Sequence, residues 1–129
     1  MRELQYAVEG KAANLRTFVL DEPAEGGACH RYRIQSADII VEGVGNVPKV
    51  WEEIRFQKGP INVDGNGVNG VQMEDLTAIN IDRLEGFQSG PYACADNAEA
   101  LDHFRKALEC LQRRTKARIV RNVEGSRTV

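Results

Sequence analysis

The sequence predicts an α+β fold, a small N-terminal antiparallel β-sheet followed by a C-terminal α-helical hairpin. Two changes along the chain carry that expectation. Up to about residue 58 the apolar residues come in short, partly alternating runs broken by turn residues, as strands require. After residue 70 they recur at spacings of three and four, as helices require. Between them lies Gly59-Pro60-Ile61-Asn62-Val63-Asp64-Gly65-Asn66-Gly67-Val68-Asn69-Gly70, too rich in Gly and Pro for helix and a poor strand. The expected division is therefore 1–58 sheet, 59–70 hinge loop, 71–125 hairpin and 126–129 tail.

The expected strands, in order, cover Glu3–Val8, Asn14–Leu20, Cys29–Ile34, Asp38–Glu42 and Val50–Phe56. The third alternates His30, Tyr32 and Ile34 against Arg31 and Arg33. Turns are expected at Asp21-Glu22-Pro23, Gly26-Gly27 and Gly43–Pro48. The first helix, from Val71 to Phe87, sets Leu76, Ile79 or Asn80, Leu84 or Arg83, and Phe87 on one stripe, with Gly86 and Gly90 closing it. The second begins at Asp96-Asn97-Ala98-Glu99, which reads as a capping box. It continues through Leu101, Phe104, Leu108, Leu111 and Thr115 to about Arg121. Such a helix, near 37 Å at ~1.5 Å per residue, is longer than one small sheet covers, so its seam calls for a second copy of the chain.

Composition bounds the function. With 129 residues, 42% hydrophobic and 28% charged, the chain suits one folded domain. No apolar run approaches the ~20 residues of a membrane span, and Met1-Arg2-Glu3-Leu4-Gln5 has no apolar leader segment, so an intracellular setting is expected. Cys29, Cys94 and Cys110 are odd in number and form no Cys-x-x-Cys pair, which argues against disulfides and zinc. The net charge of −2 is uneven. Residues 113–127 hold Arg113, Arg114, Lys116, Arg118, Arg121 and Arg127 against Glu124, for +5, leaving −7 on the rest. A basic cluster on an acidic body suits a local anion site and argues against duplex nucleic acid.

No catalytic arrangement stands out. His30 and His103 lie in unlike elements and neither has a second ligand at metal spacing. Gly65-Asn66-Gly67-Val68-Asn69-Gly70 spells Gly-x-Gly-x-x-Gly, but no strand–helix–strand unit with a ribose-binding acid surrounds it. Its plain reading is a hinge with positive φ angles. The expectation is a protein without enzymatic activity, cofactor or metal. Arg114 and Arg118, four apart, share a helix face, and the planar guanidinium forks suit phosphate. Asn97 enters the same seam at its other end. On the chain alone, a solvated basic helix end that suits the helix dipole is the commoner origin of such a pair. Phe87 could stack on a nucleobase, although periodicity alone favours core packing.

Longer stretches carry a resemblance: Ile54-Arg55-Phe56-Gln57-Lys58-Gly59-Pro60-Ile61, Gly67-Val68-Asn69-Gly70-Val71, and Ile81-Asp82-Arg83-Leu84-Glu85-Gly86-Phe87-Gln88-Ser89-Gly90. Ala93-Cys94 to Asn97, Leu111-Gln112-Arg113-Arg114-Thr115 and Val123-Glu124-Gly125 complete it. Over about residues 50–126 the chain resembles the phage Thoeris anti-defence sponge proteins of the first type, whose hairpin is related to that of a phage anti-CBASS sponge. The strands match only in character, through His30-Arg31-Tyr32-Arg33-Ile34.

The resemblance implies capture, without cleavage, of signalling nucleotides in the cytoplasm of the infected host. The ligands would be cyclic ADP-ribose isomers, with cyclic di- or trinucleotides at a second site. The protein would be a homo-oligomer, a dimer or a hexamer of three dimers. It also implies that Phe87 stacks on the base, Arg114 and Arg118 hold phosphate, Asn97 makes a polar contact, and Arg33 reaches the pocket. Arg55 and His30 become second-site candidates. Many relatives carry Arg-Glu where this chain has Ala95-Asp96, so a contact made by that arginine is missing here. The competing readings are a nucleotide-cleaving enzyme, a nucleic-acid-binding regulatory module, and a hairpin serving oligomerisation alone.

Overall fold

The computed structural model describes residues 1–6, 15–36, 39–47, 50–63, 65–121 and 126. Parts of the expected elements, at residues 7–8, 14, 38 and 48 and at 122–125 and 127–129, lie outside the described residues. The fold is α+β, with strands first and two helices after. The chain divides into two compact units. The first comprises residues 1–59 with 68–70, and the second residues 60–67 with 71–129.

In the first unit, β1 (Arg2–Glu3), β2 (Leu15–Val19), β3 (Arg31–Ser36) and β6 (Val50–Arg55) form an antiparallel sheet in the order β1-β2-β3-β6. Pairing places Val19 opposite Tyr32 and Tyr32 opposite Ile54. Because side chains alternate across a strand, these share one face. Val19 is 1% exposed there, and Tyr32 meets Phe56 edge-on at 5.6 Å. The opposite face carries Phe18, Arg33 and Glu53 in one row. β3 and β6 slip register between Ile34 and Gln35.

The segment before β3 is held by Asp21. Its carboxylate accepts from the backbone N–H of His30 (3.0 and 3.1 Å) and of Arg31 (3.1 Å). The expected turn at Gly26-Gly27 forms as a short 3₁₀ turn, Glu25–Gly27, with φ of 86° and 85° at the two glycines. The stretch Gly43–Pro48 is not turn alone, as expected from its glycines. β4 (Ile39–Val41) and β5 (Gly45–Val47) pair across a turn that Gly43 enters at φ 80°, a conformation glycine adopts without strain.

Residues 68–70 return to the first unit. The Asn69 carboxamide accepts from the Lys58 N–H and donates to the Lys58 carbonyl, both at 2.8 Å, while its own N–H donates to Gln57 Oε1 at 2.9 Å. Gly70 lies against the same segment, where a Cβ would stand 2.5 Å from the Phe56 carbonyl carbon.

The second unit is the hairpin of α1 (Met73–Gln88) and α2 (Ala95–Val120). The α1 start is fixed by Asp75, whose carboxylate accepts from the Gln72 N–H at 2.8 Å. The more covered α1 stripe is Thr77, Ile81, Leu84 and Gln88, whereas Ile79, Asn80, Arg83 and Phe87 are exposed. Of the expected stripe, Leu76 and Leu84 are thus half-buried, whereas its Ile79 and Phe87 positions face away from the covered side. Along α2 the expected seam holds: Leu101 is 7% exposed, and Phe104, Leu108, Leu111 and Thr115 are half-buried. Glu85 and Arg105 clasp the two helices at 3.0 Å.

The expected capping box at Asp96 and Glu99 is not what starts α2. The cap is Cys94, extended at φ −152° and ψ 163°, whose Sγ accepts from the Asn97 N–H at 3.4 Å. Asp96 lies in the first turn, where its charge complements the helix dipole, and Glu99 pairs with His103 at 3.6 Å.

Candidate functional site

The hairpin carries two groups of candidate residues at opposite ends of α2. The first is at its bend. Ser89 and Gly90 close α1 through bonds from their N–H groups to the carbonyls of Glu85 and Phe87, and Ser89 Oγ donates to the Gly86 carbonyl at 2.7 Å. Gln88 reaches across the turn, its Oε1 accepting from the Cys94 N–H at 3.0 Å. This bonded turn fixes Phe87 on one side and Asn97, half-buried in the first turn of α2, on the other.

Phe87 is 41% exposed, so the core-packing alternative does not describe it. Its ring meets that of Tyr92 at 6.5 Å and 89°, and the Arg83 guanidinium lies over it at 5.6 Å from the centroid. Neither Arg83 nor Tyr92 was among the sequence candidates. Their signals differ: Arg83 stands four residues before Phe87, a spacing that places side chains together on a helix, whereas Tyr92 is brought in by the turn alone.

The second group is the basic end. Arg114 is exposed, and Arg118 is half-buried and donates to the Ser126 carbonyl at 3.0 Å. The exposed Arg113 and Lys116 add positive charge around them, without the covered position of Arg118. The helix has 26 residues against 16 in α1, so it runs about 15 Å beyond what α1 can match. Arg114 and Arg118 lie on that excess length, roughly 25–32 Å along the helix from Asn97.

The remaining candidates belong to the sheet unit. Arg33 is committed to a cross-strand partner: its Nε and one terminal nitrogen donate to Glu53 Oε1 at 3.2 and 3.0 Å. Arg55 is exposed and stands directly opposite Arg31. His30 is 7% exposed, with a buried Nδ1 that has no hydrogen-bond partner among the described residues. Among the described residues, no group of three His, Cys, Asp or Glu side chains converges as a metal site would require, and no helix is long and apolar enough to cross a membrane.

Three ionisable groups are displaced. The hydrogen bond from Lys106, 2.8 Å away, and the charge of that lysine lower the Asp102 carboxyl, and the same pair raises Lys106. For Asp21 burial acts upward, but the backbone N–H groups of Arg31 and His30 outweigh it, and the net displacement is downward.

The chain thus joins an antiparallel sheet to a helical hairpin with an aromatic bend and a basic far end. The hairpin model of one family, described as Acb2/Tad1, hairpin domain, matches residues 49–116, more than half of the chain. The chain belongs to the Acb2/Tad1 hairpin-domain family. It is also 42% identical over 73 residues to Thoeris anti-defense 1 of Bacillus phage SBSphiJ7. That alignment covers 57% of this chain and 50% of the relative, so the chain spans about half the length of the curated relative it matches. The family resemblance drawn from the sequence therefore stands. The matched segment contains Arg55, Phe87, Asn97 and Arg114 and ends just before Arg118.

Proposed function

We propose that this chain is a phage anti-defence protein that captures a cyclic nucleotide signal of the Thoeris system and holds it intact, in the cytoplasm of the infected bacterium. Cyclic ADP-ribose isomers are the primary ligands, and cyclic di- or trinucleotides are secondary ones. Phe87 supplies the stacking surface, Asn97 a polar contact, and Arg114 and Arg118 the phosphate clamps. Arg33 would have to leave Glu53 to take part. Family membership and the anti-defence name of the phage relative support this reading.

The observation that carries it is the distance along α2. A ligand the size of a cyclic dinucleotide or smaller cannot bridge the roughly 32 Å from Asn97 to Arg118. An antiparallel second copy would bring its basic end beside the first chain's bend. Each copy would repeat the contacts, giving two equivalent pockets about a two-fold axis. The exposed Ile79 and Met73 on α1 and the thin cover of the α2 seam also fit a hairpin that packs against another chain.

The test is a thermal-shift series with cyclic ADP-ribose isomers and cyclic oligonucleotides, joined to light scattering and to ligand recovery after heat denaturation. Ligand bound only by the folded state raises the melting temperature. Intact recovery excludes cleavage. A chain that is monomeric at micromolar concentration, or whose melting temperature no cyclic nucleotide raises, refutes the proposal.

A further inference from the structure

Phe87 does not offer an open ring. The Arg83 guanidinium rests over it, one helical turn back, with its carbon 5.6 Å from the centroid. The residues one turn to either side of Arg83 on α1 are Ile79, Asn80, Gly86 and Phe87, none of them acidic, and no described carboxylate pairs with it. Its neighbour Glu85 is taken by Arg105 at 3.0 Å. Tyr92 stands perpendicular to Phe87 at 6.5 Å on a turn fixed by backbone bonds, so the ring is walled on a second side.

A planar cation on an aromatic face occupies the place that a planar base would need. At an exposed site that contact is weak compared with stacking a purine on the same ring. The base therefore wins the face. The guanidinium it releases stays tethered within one side-chain length of the stacked base, where the phosphate of a compact cyclic nucleotide also has to lie. Guanidinium and phosphate then form a charge-assisted pair with two parallel hydrogen bonds, which replaces the lost ring contact.

We infer that Arg83 is a displaceable cap on Phe87 that turns to the ligand's phosphate when a base takes its place on the ring. The inference rests on the nucleotide-binding reading above. It adds a third arginine to the pocket, placed at the bend rather than at the basic end of α2. It also makes Tyr92 the wall that keeps the incoming base over the ring.

The test uses the whole chain and its Arg83→Ala and Arg83→Lys variants, first compared by thermal melting without ligand. The probes are a cyclic ADP-ribose isomer, measured by calorimetry at two salt concentrations, and adenosine, measured by amide chemical-shift titration. Arg83→Ala is expected to weaken the cyclic ADP-ribose isomer about tenfold or more and to flatten its salt dependence. Arg83→Lys, which keeps the charge and loses the fork, recovers part of that loss. Adenosine, which has no phosphate, binds Arg83→Ala at least as well as wild type because its base no longer competes with the guanidinium. Wild-type affinity of Arg83→Ala for the cyclic ADP-ribose isomer overturns the inference while leaving the nucleotide-binding reading in place. Equal weakening of both probes overturns it too, since that is the mark of a purely structural role. Wild-type protein that binds no cyclic ADP-ribose isomer removes the reading and this inference together.

Discussion

The Asn69 carboxamide takes the place of a strand neighbour for Lys58, accepting from its N–H and donating to its carbonyl at 2.8 Å each. One side chain thereby satisfies both backbone groups of a residue beyond the end of β6. Asn69→Ala removes both bonds and is expected to lower stability by about 1–2 kcal/mol. Asn69→Asp keeps the acceptor but sets a carboxylate oxygen against the Lys58 carbonyl, and loses at least as much. Urea unfolding with an unchanged slope and a lowered midpoint is the readout.

Two glycines should respond to alanine with opposite signs. At Gly70 the new Cβ would stand 2.5 Å from the Phe56 carbonyl carbon and 2.6 Å from the Arg55 and Phe56 oxygens, all backbone atoms that cannot step aside. Gly70→Ala should cost about 1–3 kcal/mol. At Gly86, within α1, nothing lies within 4 Å of the added carbon. Gly86→Ala should stabilise by about 0.5–1 kcal/mol through helix propensity. Thermal melts of the two variants give the comparison.

Arg114→Ala and Arg118→Ala should each weaken nucleotide binding by about 1.5–3 kcal/mol, with Arg118→Ala also losing its bond to Ser126. The two-chain pocket makes a sharper demand. A mixed dimer of Phe87→Ala and Arg114→Ala chains should hold one intact pocket and one doubly damaged one. Calorimetry should then recover about half of the wild-type capacity. A mixed dimer no better than either parent rules the shared pocket out.

Asp21 gives a pH dependence. Its folded pKa is lowered below the ordinary 3.8, so the charged form is favoured by folding. The stabilisation is fully present above 3.8 and is lost as pH falls through the lowered folded value. The stability advantage of wild type over Asp21→Asn should therefore hold near neutrality and shrink below about pH 4. Urea midpoints of both proteins from pH 7 to pH 3 test this, and a constant difference across the range contradicts it.

The helical half was the more legible in the sequence because its signal is local. The three-and-four spacing from Leu101 to Thr115 placed the α2 seam, and the run from Gly86 to Gly90 placed the end of α1. The start of α2 was misread because Asp96 and Glu99 satisfy a pattern that Cys94 satisfies in space. A thiol is not among the preferred caps, and only its extended backbone and its bond from the Asn97 N–H identify it. The pairing of Arg33 with Glu53 depends on which strands become neighbours, information that neither strand's own residues contain. The exposure of Phe87 is likewise invisible to periodicity, since helical spacing gives a stripe but not which side α2 will cover. Tyr92 escaped for a third reason: its approach to Phe87 is set by a turn of irregular backbone.

The return of residues 68–70 to the sheet unit bears on inheritance. A recombination that swapped everything after Gly59 between two relatives would import more than helices. It would bring an asparagine that must find its partner in the recipient's Lys58 segment, and a residue at position 70 that must fit under the recipient's Phe56 backbone. Crossovers upstream of β6 or downstream of Gly70 keep those pairs together, and exchanges between them split a fitted joint. The connecting segment up to Gly70 therefore travels best with the last strand of the sheet attached.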